Sequence, residues 1–130
     1  MGVTPKEPVV LNDDGTVDIL IYQGRTQRVS LTHAGLADCT GYKCRAAFAA
    51  NFRTDPFLEL STEAATENGS LITLNDLTVG TRIDIFISDE DADEIVKGNG
   101  VWDVVLESPG GEESPVIPSS KWTLHKKVSS

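Results

Sequence analysis

Apolar and polar residues alternate along most of this chain, and the alternation has the period of β-strands. From Asp18, "DILIYQG" is a β-type run ended by Gly24. "QRVSLT" puts Val29 and Leu31 on one face and Arg28, Ser30 and Thr32 on the other. In "YKCRAAF", Tyr42, Cys44, Ala46 and Phe48 point one way, and Lys43, Arg45 and Ala47 the other. "FLELS" at 57–61 follows Asp55-Pro56, and "GSLITL" at 69–74 follows the turn signal Asn68-Gly69. "TRIDIFIS" alternates most cleanly: Ile83, Ile85 and Ile87 face a core, while Asp84 and Phe86 face elsewhere. "GVWDVVLES" places Trp102, Val104 and Leu106 on one face. The turn "SPGGEE" then leads into "SPVIPSSKWTLH", where Pro115 and Pro118 predict an edge or irregular beginning.

Two stretches break the pattern. "SDEDADEIVKG", 88–98, has a cap residue at Ser88, acids in its first turn and Lys97-Gly98 at its end, the polarity of a short helix near 89–97. Residues 1–16 contain Pro5, Pro8 and the "NDDG" cluster and are expected to form an extended, loosely docked arm, although Val9, Val10 and Leu11 offer packing surface. The expected organisation is therefore an arm (1–16), a β-domain (17–124) and a polar tail (125–130). Seven or eight short strands at turn-punctuated intervals, with one helix before the last two, predict an all-β antiparallel sandwich of Ig-like type.

Composition narrows the classes of function. A chain of 130 residues suits one domain with one core. Acidic residues outnumber basic ones, 20 against 11, for a net charge of −9. Such a surface repels phosphate backbones and anionic lipid, so neither nucleic acid nor membrane is an expected partner. No apolar run approaches the roughly 20 residues needed to span a bilayer. "MGVTPKEPVVLNDDG" lacks the continuous apolar stretch of a signal peptide, so a cytoplasmic site of synthesis is expected.

Candidate chemistry is sparse. Asp89, Asp91 and Asp93 have the spacing that opens an EF-hand calcium loop, but the sixth and twelfth positions hold Glu94 and Gly100 in place of Gly and Glu. The reading favoured there is a solvated helix N-terminus. Cys39, Cys44, His33 and His125 are the Cys and His residues available to a zinc ion, and their spacing is not that of a zinc knuckle. A cysteine nucleophile needs a partnered His and a positive setting. His33 lies near Cys39 in sequence, but alternation turns Lys43 and Arg45 away from Cys44. Trp102 and Trp122 could line a sugar-binding face, against which Trp102 shares its face with core residues. No catalytic residue, cofactor or metal is expected.

Several of these strings together resemble a family of small phage and prophage virion proteins. The resemblance rests on Ile21-Tyr22-Gln23-Gly24, Cys39-Thr40-Gly41-Tyr42, Cys44-Arg45-Ala46 and Trp102-Asp103-Val104-Val105-Leu106-Glu107, and runs from about residue 18 to 124. In that family Leu is usual where Cys39 stands and Ala where Cys44 stands. The resemblance implies a non-enzymatic structural part of a tailed-phage virion, present in multiple copies and docking other virion proteins in the tail, baseplate or fibre-attachment region. A capsid decoration protein is the alternative within that class, and a host-surface carbohydrate-binding module the alternative outside it.

Cys39 and Cys44 also raise the question of a disulfide. Fully extended, their Cα atoms would lie roughly 17 Å apart, whereas a tight turn at Thr40-Gly41 would bring them within about 7 Å, the limit for a bond. The family pattern and the reducing cytoplasm favour free thiols.

Overall fold

The structure is a computed structural model, and it describes residues 3–5, 9–11, 16–33, 36, 38–51, 53–77, 80–95 and 98–125. Among the described residues, ten strands and one helix follow in the order β1 (Val3–Pro5), β2 (Val9–Leu11), β3 (Val17–Tyr22), β4 (Gln27–His33), β5 (Lys43–Ala49), β6 (Leu58–Ser61), β7 (Leu71–Asp76), β8 (Thr81–Ile87), α1 (Asp89–Asp93), β9 (Asn99–Glu107) and β10 (Glu113–His125). They form two sheets, of order β1-β4-β8-β7 and β2-β3-β10-β9-β5-β6. The inward residues of both sheets close one hydrophobic core, so the protein is an all-β sandwich.

Period-two alternation explains the core. Ile83, Ile85 and Ile87 are buried from one sheet, and Trp102, Val104 and Leu106 face them from the other. Phe86 points outward, where the Arg28 guanidinium lies 4.8 Å from its ring centroid. Asp84 also points outward and accepts hydrogen bonds from Ser30 Oγ, Asn75 Nδ2 and Arg82 Nε.

Four features depart from the sequence reading. The stretch expected to be a loose arm supplies two strands instead of none: β1 pairs with β4 in one sheet, and β2 with β3 in the other. Each is only three residues long, too short to show a period, so backbone pairing alone defines it. Secondly, the ladders are antiparallel except one, since β3 and β10 run parallel from Ile19↔Trp122 to Tyr22↔His125. Thirdly, His125 is the last residue of β10 and not part of a polar tail; its ring sits 5.3 Å from that of Tyr22. Fourthly, the helix ends at Asp93, and Val96 and Lys97 lie outside the described residues, as do 126–130.

The prolines of β10 behave as their chemistry requires. Its register against β9 shifts between Pro115 and Ile117 and again between Ile117 and Ser120. Pairing to β3 begins only at Trp122, so the Pro-bearing half has one partner strand. A proline, which lacks the N–H, is tolerated in such a one-sided, irregular stretch.

Candidate functional site

At one end of the sandwich, α1 and the β5–β6 connection stand on either side of a cleft. Ser88 caps the helix in extended conformation, and its Oγ accepts the Asp91 N–H at 3.1 Å. Asp91 itself is buried. Its carboxylate accepts from Thr66 Oγ1 at 2.7 Å, from Asn68 Nδ2 at 2.9 Å and from Ser70 Oγ. Burial alone would push this carboxyl up. The hydrogen bonds from Ser70, Thr66, Asn68 and Ser88 outweigh burial and hold it below the ordinary aspartate value. Asp91 thus ties α1 to the loop before β7. This corrects the expectation of a wholly solvated helix start: Asp89, Glu90 and Asp93 are exposed, but Asp91 is not.

The opposite wall comes from Ala50, Thr54, Asp55 and Phe57. Asn51 closes a local turn, its Oδ1 accepting from the Arg53 N–H at 2.8 Å while the Thr54 hydroxyl donates to its carbonyl at 3.1 Å. The Phe57 N–H then donates to the Phe48 carbonyl at 2.9 Å, so Phe57 is fixed one residue ahead of β6. Since Leu58 and Leu60 face inward, Phe57 faces out, with 45% of its surface exposed. It is the one large exposed hydrophobic among the described residues. Its ring meets the buried Trp122 edge-on, centroids 5.4 Å apart at 73°.

The resulting cleft has a volume of about 320 Å³ and is lined by Ala50, Thr54, Asp55, Phe57, Leu58, Asp91, Glu94 and Ile95. Its floor is apolar. Among the described lining residues, three carry carboxylates and none carries a positive charge. Among the described residues, neither Asp55 nor Glu94 forms a salt bridge. Nothing in the sequence singles out Phe57 or Glu94: "FLELS" reads as a strand that opens at Phe57, and Glu94 as one acid of an acidic run.

No family model matches the chain, and no curated protein matches it.

Apart from Asp91, the residues singled out for chemistry do not line this cleft. Cys39 and Cys44 are at the opposite end of the sandwich, and both thiols are free. The turn between them does form: the Tyr42 N–H donates to the Cys39 carbonyl at 3.0 Å, with Gly41 at φ +78°. A side chain at 41 would also press on Pro109, 2.9 Å from the position of its Cβ. Cys44 faces the core beside Ala46 and Phe48, and burial pushes its thiol up to about 12. Burial also raises Cys39, helped by the Asp76 carboxylate, whose Oδ1 accepts the Cys39 N–H at 2.8 Å. Neither is the lowered-pKa thiol a nucleophile requires. His33 ends β4, and its Nδ1 is buried with no hydrogen-bond partner among the described residues. Trp102 and Trp122 are fully enclosed, their indole N–H groups donating to the carbonyls of Val17 at 2.8 Å and Ala49 at 3.0 Å. Among the described residues, no three His, Cys, Asp or Glu side chains converge as metal ligands would, and no helix is long and apolar enough to cross a membrane.

Proposed function

We propose that this protein is a non-enzymatic structural component of a tailed-phage virion that docks other virion proteins in the tail, baseplate or fibre-attachment region. Support comes first from the resemblance, whose strings occupy the elements of a single sheet. Ile21-Tyr22 end β3 and Gln23-Gly24 enter the following turn. Cys39 to Tyr42 form the turn entering β5, and Trp102 to Glu107 make up most of β9. The observation that carries the docking reading is the open cleft: a preformed site that presents an exposed aromatic ring and the exposed carboxylates of Asp55 and Glu94, on a molecule whose thiols are unsuited to attack.

The sandwich fits the Ig-like class. The order β1-β4-β8-β7 corresponds to the A-B-E-D sheet, and β10-β9-β5-β6 to G-F-C-C′, with β3 alongside G. The inter-sheet disulfide of antibody domains has no counterpart, since both cysteines lie in or beside β5 and are free.

Mass spectrometry of purified particles tests the virion reading, and absence of the chain from them sinks it. Copy number separates the two placements: hundreds per particle indicate head decoration, few indicate a tail part. A carbohydrate-binding module loses its expected platform, because both indoles are buried. Unchanged tryptophan emission during sugar titration is the matching expectation.

A further inference from the structure

We infer that the cleft between α1 and the wall formed by Ala50, Thr54, Asp55 and Phe57 is a socket for an arginine side chain presented by a protein partner. The argument begins with Phe57. A phenylalanine with 45% of its surface in water contributes little to the fold, yet its backbone is pinned by the Phe57 N–H···Phe48 carbonyl bond and its ring is seated by the edge contact with Trp122. A ring fixed before binding loses little freedom when a partner arrives, which is the property of an anchor residue.

The chemistry around the ring selects the partner. Leu58, Ile95 and Ala50 offer an apolar floor to an aliphatic stem, while Asp55 and Glu94 stand exposed at the rim. Asp91 is not free to bind, since its oxygens are engaged by Thr66, Asn68 and Ser70; it holds the wall and adds negative potential. An anion is repelled by all three carboxylates. A divalent metal ion would need several oxygens converging on a point, and the described residues bring no such group together. A long side chain with an apolar stem and a cationic head satisfies both halves of the cleft. Arginine fits better than lysine, because its planar guanidinium stacks on an aromatic ring and also pairs with carboxylates. The volume, about 320 Å³, stands at the small end of ligand pockets, roughly 300–1,000 Å³, so it takes one residue and its flanks and not a folded element.

The inference rests on the docking reading only for the origin of that arginine; the socket itself is tested without particles. The full chain, labelled with ¹⁵N, is titrated with acetyl-Ala-Arg-Ala-amide and, separately, with the same peptide carrying Lys, Leu or Glu in the centre. Saturable shifts are expected at residues 50–58 and 91–95 and at the Trp122 indole N–H, tightest with Arg and absent with Glu. Asp55→Asn and Glu94→Gln should each weaken the Arg peptide about two- to fivefold, the range for exposed ion pairs. Phe57→Ala should remove saturation while unperturbed signals from β9 report an intact core. The socket is overturned if the Arg peptide gives no saturable shift, if the Leu peptide binds as well, or if Glu94→Gln and Asp55→Asn change nothing. A chain that binds Arg but is missing from particles would keep the socket and lose the virion assignment; the reverse result would do the opposite.

Discussion

Two Phe–Trp pairs in this molecule share their chemistry and differ in where the strand pattern puts them. Trp102 and Trp122 are both enclosed, and each donates its indole N–H to a backbone carbonyl distant in sequence. Phe48 lies nearly parallel to Trp102, centroids 5.4 Å apart at 5°, and is fully buried. Phe57 meets Trp122 at the same separation but edge-on, and its other side faces the cleft. Phe48 shares the inward face of β5 with Cys44 and Ala46, whereas Phe57 immediately precedes the inward Leu58. One position of phase thus separates a core ring from a surface ring.

The largest expected effect comes from the inner pair. Phe48→Ala should cost about 3–5 kcal/mol, the range for a buried aromatic that leaves a cavity. Urea unfolding measures it. A cost near that of a surface truncation would mean that the inner pair is no better packed than the outer one, and the comparison would break.

How much of this was legible follows from the same rule of phase. Ile83, Ile85, Ile87, Trp102 and Phe48 could be assigned to the core from the sequence, because strand periodicity fixes facing without any knowledge of the partner sheet. The strands β1 and β2 could not be read, because three residues show no period and the pairing that creates them lies in β4 and β3. The parallel β3–β10 ladder is a matter of topology, on which alternation is silent. Asp91 was hidden for a related reason. The acidic run reads as solvated until Thr66, Asn68 and Ser70, from another loop, are known to reach it. The cleft needs all of these at once, although outward Phe57 was implicit in the alternation of "FLELS".

The second effect sharpens the contrast by showing that the outer region is held by polar bonds. Asp91→Ala should cost about 3 kcal/mol, because it removes a charged acceptor and leaves the buried Ser70 hydroxyl, with Thr66 and Asn68, without it. The pH dependence has a definite sign. The folded carboxyl sits below its ordinary value of 3.8, so its contribution is complete above that value and is lost as pH falls through the folded one. Hydrogen exchange in acid should therefore open residues 88–95 before Trp102–Leu106. Simultaneous opening would show that Asp91 does not anchor this end locally.

Gly100 links the outer tryptophan to the backbone and gives the third test. A Cβ there would lie 2.1 Å from the Ala49 carbonyl oxygen and 2.6 Å from Trp122 Nε1, the acceptor and donor of the indole bond. Gly100→Ala should cost about 2 kcal/mol through overpacking, and the shifted Trp122 indole N–H resonance identifies where the strain falls. A neutral substitution would mean that Trp122 is not tightly seated. Cys44 probes the inner face more gently. Cys44→Ala should cost about 1 kcal/mol, as a small core truncation does. In the native protein its thiol should resist Ellman's reagent until denaturant is added, while two thiols titrate in the unfolded chain. Fewer than two in denaturant without reductant would reveal a Cys39–Cys44 bond.

The smallest expected effect is the most informative about the outer pair. Phe57→Ala removes a half-exposed ring and one edge contact, so the stability change should be about 1 kcal/mol or less. Trp122 would lose the ring that covers its edge, and tryptophan emission should shift to the red without loss of cooperativity in urea. The two readouts together distinguish a lid from a surface. If Phe57 is mainly a lid that seals the core over Trp122, its removal should cost several kcal/mol, approaching Phe48→Ala. If it is a surface held ready for a partner, stability barely moves and only the Arg-peptide shifts disappear. The ring's 45% exposure, on a backbone already pinned to the Phe48 carbonyl, favours the second outcome, because a residue that served only to seal the core would be turned toward it.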